Sequence, residues 1–559
     1  MYLDCSVKIP EIKGKITRKK KKDTVYIDYE YGREYLPEKK YTIPKRTTIG
    51  KQMKDDPEMM IPNENYVKHF SDRELPEEKN QSKRSYCLKA GAYVVIKKIM
   101  EEYKLPELLG RHFSRKDLGL FLDLATYSIV CENNAGQYYP DYAYNHPLFT
   151  DGMRIYSDSK VSDFLNSITE NQSVGFLNDW NETRDHREKI YISYDSTNKK
   201  CQAGDIEMVE FGHARKDLRL PIINYSIAYD IKNKEPLFYE DYPGSIVDVS
   251  QLQFMLEKAK GYGYRKVGFI LDRGYFSKEN IQYMDRCGYD FVIMVKGMAS
   301  LVNTLVLNAK GTFEESWKCC VKEYNVYGTT VKERLFASDE NDRYFHIFFS
   351  DGKRAVERTA LKTKLEQLAK TLEKNKGRQV EFGEGYKHYF ELFYDKEGVF
   401  LCAREREEAI ERELKLCGYF AIVTSRKMTA KEAISLYKSR DASEKLFRGD
   451  KSYLGNKSLR VYSDESASAK IFIEFIALII RNKLYTQLKE EVEETEKKAN
   501  YMTVPAAIKE LEKIEMIRLS DGKYRLSHAV TATQKAILKA FKTDAAYVKY
   551  AANEISKEM

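Results

Sequence analysis

Three acids in this chain stand where a carboxylate needs a chemical reason. Lys189-Ile-Tyr-Ile-Ser-Tyr-Asp195-Ser-Thr197 reads as an apolar strand that ends on an acid, and Arg265-Lys-Val-Gly-Phe-Ile-Leu271 reads as a buried strand followed at once by Asp272. A carboxylate at the end of a buried strand is costly unless something pairs it. Neighbouring strands lie about 4.8 Å apart, so adjacency of these two would bring their acids within a few ångströms. The third acid, Glu444, belongs to Tyr437-Lys-Ser-Arg440-Asp-Ala-Ser-Glu444-Lys-Leu-Phe-Arg-Gly-Asp-Lys451, a stretch with no helix breaker before Gly449. At about 100° per residue, Tyr437, Arg440 and Glu444 share one face of a helix, and Lys451 joins them if the helix survives Gly449. Hard oxygen ligands of this kind suit Mg²⁺, which keeps several waters and combines a few carboxylates with substrate phosphates. Two such ions about 3.5–4 Å apart serve phosphoryl transfer, and a phenol with two cations suits a grip on phosphates. Taken alone, the same stripe also fits a solvated, ion-paired surface. Asp441 is a second candidate carboxylate beside Glu444, and Arg273 could pair with Asp272 instead of meeting a phosphate.

The elements that must position these residues are legible in outline. Between Lys189 and Val295 the pattern predicts β-β-β-α-β-α-β, an α/β core of mixed strand direction, with strand ends as the place where sites form. Residues 297–416 interrupt the alternation and read as an inserted domain, mixed or β-rich. Gly418 to Thr424 returns to buried strand, and Thr429 can cap the helix that carries the Tyr437–Lys451 stripe. Ala467 to Leu488 predicts a largely buried helix on the sheet. Upstream, residues 1–52 form a basic segment of short strands, 53–84 a proline-marked linker, and 85–187 a small helical domain with Trp180 in its core. The core is thus split into 188–296 and 417–490. Residues 491–559 are helical around a hairpin turning at Asp521-Gly522.

Composition narrows the class. The 559 residues carry a formal charge of +9. Residues 8–51 alone hold 14 Lys and Arg against 6 Asp and Glu, a net of +8, so nearly all the excess lies in the tyrosine-rich N-terminal segment. A localised basic patch of this kind predicts a polyanionic partner, most simply nucleic acid. The nine cysteines are scattered without a CxxC pair, which argues against structural zinc or a disulfide framework. The N-terminus lacks a signal-peptide core, and Ile471 to Ile480 is interrupted by Glu474 and too short to span a bilayer, so a soluble protein with no membrane partner is expected.

These residues together resemble the DDE transposases of bacterial insertion sequences, in the long-chain subgroup of the branch defined by a YREK signature, the insertion-sequence-four superfamily. The signature spacing of Tyr, two residues, Arg, three residues, Glu, six residues, Lys is matched by Tyr437, Arg440, Glu444 and Lys451. The first acid stands in Asp195-Ser-Thr197 and the second in Asp272-Arg-Gly-Tyr275; Gly212-His-Ala-Arg-Lys-Asp217 and Pro243-Gly-Ser-Ile-Val-Asp248 resemble further segments of the subgroup. The resemblance covers about residues 85–490. It implies a ribonuclease H-like core interrupted by an insertion, for which the 172 positions from Asp272 to Glu444 leave room. It implies that Asp195, Asp272 and Glu444 are catalytic and hold two Mg²⁺ or Mn²⁺ ions, and that Tyr437, Arg440, Lys451 and Arg273 contact DNA. An aromatic of the insertion, Trp317, would stack on a flipped base. The implied activity is metal-dependent cleavage at terminal inverted repeats and strand transfer into target DNA, by a homodimer on double-stranded DNA in the bacterial cytoplasm at the nucleoid. A non-catalytic DNA-binding descendant and a metal-dependent nuclease are the alternatives.

Overall fold

The computed structural model of the chain describes residues 2–3, 6–21, 24–36, 40–53, 56–71, 84–184, 189–201, 206–211, 221–246, 248–295, 298–339, 341–455, 458–496, 499–519 and 522–559. The chain divides into two compact units, Met1–Arg84 and Ser85–Met559. The boundaries expected at residues 52, 187, 296, 416 and 490 fall inside one unit or the other.

In the first unit, Val7–Lys8 (β1), Ile16–Lys21 (β2), Thr24–Leu36 (β3), Tyr41–Gln52 (β4) and Met59–Pro62 (β5) pair antiparallel in the order β1-β5-β4-β3-β2. Ile27, Ile49 and Met60 form its core with Tyr66 of the helix Glu64–His69 (α1) and Phe70. Residues 59–70 therefore belong to this unit, as its strand β5 and packed helix α1, although the prolines at 57, 62 and 76 read as linker. Met60, Tyr66 and Phe70 supply apolar surface that the long β3–β4 ribbon cannot bury alone. β2 is an edge strand, and its Arg18, Lys19, Lys20 and Lys21 are exposed, a charged edge of the kind that resists pairing with other chains.

The second unit opens with a short strand, Cys87–Lys89 (β6), and the helices Gly91–Glu102 (α2), Leu105–Gly110 (α3), Arg115–Cys131 (α4), Tyr139–Asn145 (α5), Asp158–Ser167 (α6) and Glu170–Glu182 (α7). Trp180 is fully buried and donates its ring N–H to the Pro236 carbonyl at 3.1 Å. Then come Ile190–Lys200 (β7), Ile222–Asp230 (β8), Glu235–Pro243 (β9), the helix Asp248–Gly261 (α8), Val267–Leu271 (β10), the helix Lys278–Cys287 (α9) and Asp290–Met294 (β11), the alternation predicted from the sequence. β9-β8-β7 is an antiparallel meander, and β7-β10-β11 are parallel.

The segment expected as an insertion divides in two. After the helix Ala299–Ala309 (α10), the strands Cys320–Val321 (β12), Val326–Glu333 (β13) and Arg343–Phe349 (β14) extend the main sheet, because β14 pairs with the later Tyr419–Thr424 (β17). The result is a nine-stranded mixed sheet ordered β12-β13-β14-β17-β11-β10-β7-β8-β9. The helix Asp351–Lys374 (α11), the turn Glu384–Lys387 (α12), the hairpin Phe390–Tyr394 (β15) and Phe400–Glu405 (β16), and the helix Glu407–Leu416 (α13) build a separate small core around Leu361, Leu372, Phe382 and Phe400.

The chain then forms the helices Ala430–Lys438 (α14), Asp441–Tyr453 (α15) and Asp464–Thr495 (α16). Alternation along the strands decides which face they cover. Ile270, Val292 and Ile422 pack against Ile434 and Tyr437 of α14, whereas Phe269, Leu271 and Phe291 turn to the opposite face, with Leu252 of α8 and Ile281 of α9 in their core. α16 is buried from Ser466 to Asn482 with the sole interruption of the exposed Ser468, and is surrounded by the sheet and the α2–α7 layer. The helices Val504–Leu511 (α17), Ala532–Ala540 (α18) and Ala545–Glu558 (α19) complete the unit. The expected C-terminal hairpin forms from Glu515–Arg518 (β18) and Tyr524–Leu526 (β19) and adds β6 as a third strand. Asp521, and the segment around His213, lie outside the described residues. Among the described residues no helix is long and apolar enough to cross a membrane.

Candidate active site

β7 does not stop at Asp195. Its antiparallel ladder with β8 continues to Lys200↔Ile222, and what ends beside Asp195 is the parallel ladder with β10, whose last pair is Tyr194↔Leu271. The next residues on the two strands are Asp195 and Asp272. They stand side by side where β10 leaves the sheet, on the face that carries α14 and α15. Asp272 caps a single turn, Arg273–Tyr275, accepting the Arg273 amide at 2.8 Å. Asp195 is buried and accepts the Ser196 amide at 2.9 Å.

The helical stripe is broken, but not at Gly449. α14 ends at Lys438 and α15 begins at Asp441, whereas Gly449 lies inside a continuous α15 that reaches Lys451. Around Ser439–Arg440 the backbone tightens into three-residue bonds, Arg440 N–H to Tyr437 O at 3.2 Å and Ser443 N–H to Arg440 O at 2.9 Å. The Ser439 hydroxyl donates to the Leu436 carbonyl at 2.5 Å, competing with the helix for its acceptor. The junction places Tyr437 and Arg440 at the end of one helix and the start of the next, with both side chains over the two aspartates.

Arg440 is the hub. Its Nη1 lies 3.9 Å from Asp195 Oδ2 and 3.6 Å from Asp272 Oδ2, and its Nη2 lies 2.7 Å from Glu444 Oε1. Burial pulls its pKa down, and the charges of Asp272, Asp195 and Glu444 more than offset that, holding it above the ordinary value. Its Nε is buried without a partner among the described residues. The Tyr437 hydroxyl donates to Asp272 Oδ1 at 3.4 Å; burial first, then the Asp272 charge, pushes its pKa up to about 12, so it is a donor at neutral pH.

Three carboxylates thus converge on one partly satisfied cation, the donor set a divalent ion would use. Among the described residues no three His, Cys, Asp or Glu side chains are close enough to share one ion; the Arg440 guanidinium lies among the three carboxylates. Glu444 is the most open of the three, with its side chain 54 % exposed.

The other residues singled out from the sequence stand as follows. Lys451 is half-buried on α15, on the Glu444 side of the helix by its spacing. Arg273 has an exposed side chain, and its backbone N–H donates to Asp272. Asp441 is exposed and makes no ion pair among the described residues. Trp317 is 72 % exposed at the start of the β12 edge, with the Lys322 ammonium 4.3 Å from its ring centre, so it is not a packing residue.

Sequence reasoning missed the residues that hold α15 in place. Ser193 of β7 meets Ser443 of α15 hydroxyl to hydroxyl at 2.6 Å, one residue from Glu444. Further along, Lys199 of β7 reaches Asp450 of α15 and Glu474 of α16, each at 2.9 Å, and all three side chains are buried. The Asn134 amide donates to the other Glu474 oxygen at 3.1 Å. The signal was present: Glu474 interrupts an apolar run, and a charge inside such a run needs a partner.

The sequence family described as the transposase DDE domain matches residues 189–480, more than half of the chain and the whole of this site. The chain belongs to that family. DDE transposases act by phosphoryl transfer on DNA and generally use divalent metal ions. No curated protein matches the chain. Among solved structures it is similar to the piggyBac transposase in a cryo-EM synaptic complex with hairpin DNA, at 9 % identity and a TM-score of 0.31 over 83 % of this chain and 74 % of that one.

Proposed function

We propose that the protein is an insertion-sequence transposase of the YREK branch, which binds terminal inverted repeats, cleaves DNA at the element's ends and joins those ends to target DNA. The observation that carries this reading is the convergence of Asp195, Asp272 and Glu444 on Arg440 Nη1 and Nη2. The meander β9-β8-β7 continuing into the parallel strands β10 and β11 supports a ribonuclease H-like core. Residues 351–416, with their own small core, are then the insertion.

In this mechanism Asp195, Asp272 and Glu444 hold divalent ions, taken as two Mg²⁺ or Mn²⁺. When bound, such ions supply charge stabilisation and an activated oxygen nucleophile at the phosphodiester. Arg440, freed from the carboxylates, turns its fork to a DNA phosphate. The neutral Tyr437 hydroxyl donates to Asp272 or to phosphate, and Lys451 neutralises the backbone two helical turns beyond Glu444. Exposed Arg273 reaches the strand from the Asp272 turn, and Trp317 offers a free π face for a flipped base. Two copies pair two DNA ends in a homodimer.

The test is cleavage and joining of end-bearing DNA in Mg²⁺ by the full chain. Wild type is expected to nick at the element end and to transfer the labelled 3′ end to plasmid, while Asp272→Ala loses activity by about 100-fold or more. Equal nicking by the two proteins removes the catalytic reading and leaves a DNA-binding descendant. Nicking without transfer makes the protein a nuclease.

A further inference from the structure

Behind α15, on the side turned away from Glu444, lies a cavity of about 700 Å³, a size suited to a small ligand. Leu446, Leu478, Met502 and Val504 wall it, with Tyr453 and Tyr485 beside them. Arg481 of α16 lines it. This residue is 8 % exposed, and among the described residues its guanidinium has no hydrogen bond or ion pair. The guanidinium lies over the Tyr453 ring, 4.7 Å from its centre. None of its nitrogens is sealed from solvent, so the surface it keeps opens onto the cavity.

Gly449 makes the room. A Cβ at that position would lie 2.7 Å from Arg481 Nη1, so a residue costing a helix interior about 1 kcal/mol lets the guanidinium lie against the α15 backbone. Glu132 and Asp450 act on Arg481 only from beyond ion-pair distance, and Asp450 is committed to Lys199. Among the described residues no Asp or Glu lines the cavity, whereas Lys445, Arg448 and Lys489 do. A guanidinium this largely buried with no carboxylate at ion-pair distance is unfavourable, and its planar fork matches an oxyanion with two oxygens. Lys489 at the same opening is paired with Glu493, but Lys445 and Arg448 are exposed and make no ion pair among the described residues; together with Arg481 they exceed what a single carboxylate would balance and suit a phosphate. The tyrosines and apolar wall suit a flat aromatic body attached to it.

We propose that this cavity binds a nucleotide through its phosphate, with Arg481 as the anchor and the base against the tyrosine and aliphatic wall. It is a site separate from the three carboxylates, and the inference goes beyond the transposase reading. The nucleotide is either free or part of a DNA strand; the chemistry recognised is the same.

Calorimetric titration of the full chain with each of the four deoxynucleoside 5′-monophosphates tests it, in EDTA so that no metal-dependent site contributes. At least one is expected to bind saturably with a Kd of about 1 mM or tighter, and the matching nucleoside and inorganic phosphate about tenfold more weakly or not at all. Arg481→Gln is expected to weaken binding about tenfold or more, and so is Lys445→Glu, an exposed change that leaves the fold intact. Asp272→Ala is expected to bind as wild type does, so loss of catalysis and loss of this site are read separately. A short single strand that displaces the mononucleotide, and itself weakens with Arg481→Gln, identifies a strand as the source; a strand that does not compete identifies the free nucleotide. No binding by any mononucleotide or strand overturns the proposal. So does binding indifferent to both substitutions, or phosphate binding as well as the nucleotide.

Discussion

At the scale of single residues, the site is organised by a cation that belongs to the protein. Arg440 neutralises Asp195 and Asp272 from 3.9 and 3.6 Å, long for ion pairs, and keeps an unpartnered Nε. It holds the carboxylates from beyond hydrogen-bond distance, and a divalent ion bound as proposed would compete with it for them. Arg440→Gln is therefore expected to unfold at lower temperature than wild type without metal, because a buried Asp195 loses its cation at a cost of about 3–5 kcal/mol or less. Added Mg²⁺ should raise the midpoint of the variant more than that of wild type. An equal Mg²⁺ shift in both proteins, measured by thermal denaturation, would show that Arg440 and metal do not share the carboxylates. Tyr437 and Glu444 were legible from spacing. The guanidinium's place between the acids was not, because it follows from the Ser439–Arg440 break, which periodicity reads through.

At the scale of elements, α15 is tethered to β7 at both ends, by Ser193–Ser443 and by Lys199–Asp450, with Glu474 drawing in α16. Lys199→Met leaves two carboxylates buried without their cation, and a loss of about 3–5 kcal/mol is expected in denaturant unfolding. Adding Asp450→Asn and Glu474→Gln should recover part of that loss, since the uncompensated charge goes with them.

The neighbouring β14–β17 pair contains a buried histidine, His346, held between Thr330 at 2.9 Å and Thr424 at 3.0 Å. The Thr424 hydroxyl already donates to the Arg426 carbonyl, so it accepts from His346 Nε2 and leaves Nδ1 to accept from Thr330. Burial lowers the pKa of this imidazole from 6.5 to about 4. The unfolded chain then binds the proton more readily than the folded one. Stability is complete above about pH 6.5 and falls as the pH drops toward 4, by up to about 3 kcal/mol from this group. His346→Gln should flatten that slope in urea midpoints taken between pH 7 and pH 4.5; an unchanged slope would assign the acid sensitivity elsewhere.

At the scale of the whole molecule, the N-terminal unit carries the charge excess on an exposed edge. Lys19, Lys20 and Lys21 of β2 lie open to solvent, and Tyr31, Tyr35 and Tyr41 of the adjoining ribbon are exposed as well. If this edge meets the DNA backbone, replacing the three lysines by Gln should lower affinity for all DNA sequences. It should also reduce the slope of log affinity against log salt by about 0.9 for each phosphate that is no longer neutralised. Binding with an unchanged slope, in a filter or anisotropy assay across salt concentrations, would place the DNA on another surface.

The sequence by itself determined the strands and helices of the core, the acids at the ends of apolar runs and the spacing of the signature. Each of these is local: periods of two and 3.6, caps and breakers act over a few residues. Asp272 was visible because an apolar strand ran directly into it, and Glu474 because it interrupted an apolar run. Only the tertiary structure decided that β7 and β10 are neighbours in a register that sets Asp195 beside Asp272. It alone carried residues 320–349 into the main sheet through a partner strand some seventy positions later in the chain, β17. It alone brought Lys199, Asp450 and Glu474 together and left Arg481 facing a cavity. Register, sheet order and buried ion pairs join residues far apart in the chain, and their energies depend on what is excluded from water around them. No local pattern encodes that until the chain is packed.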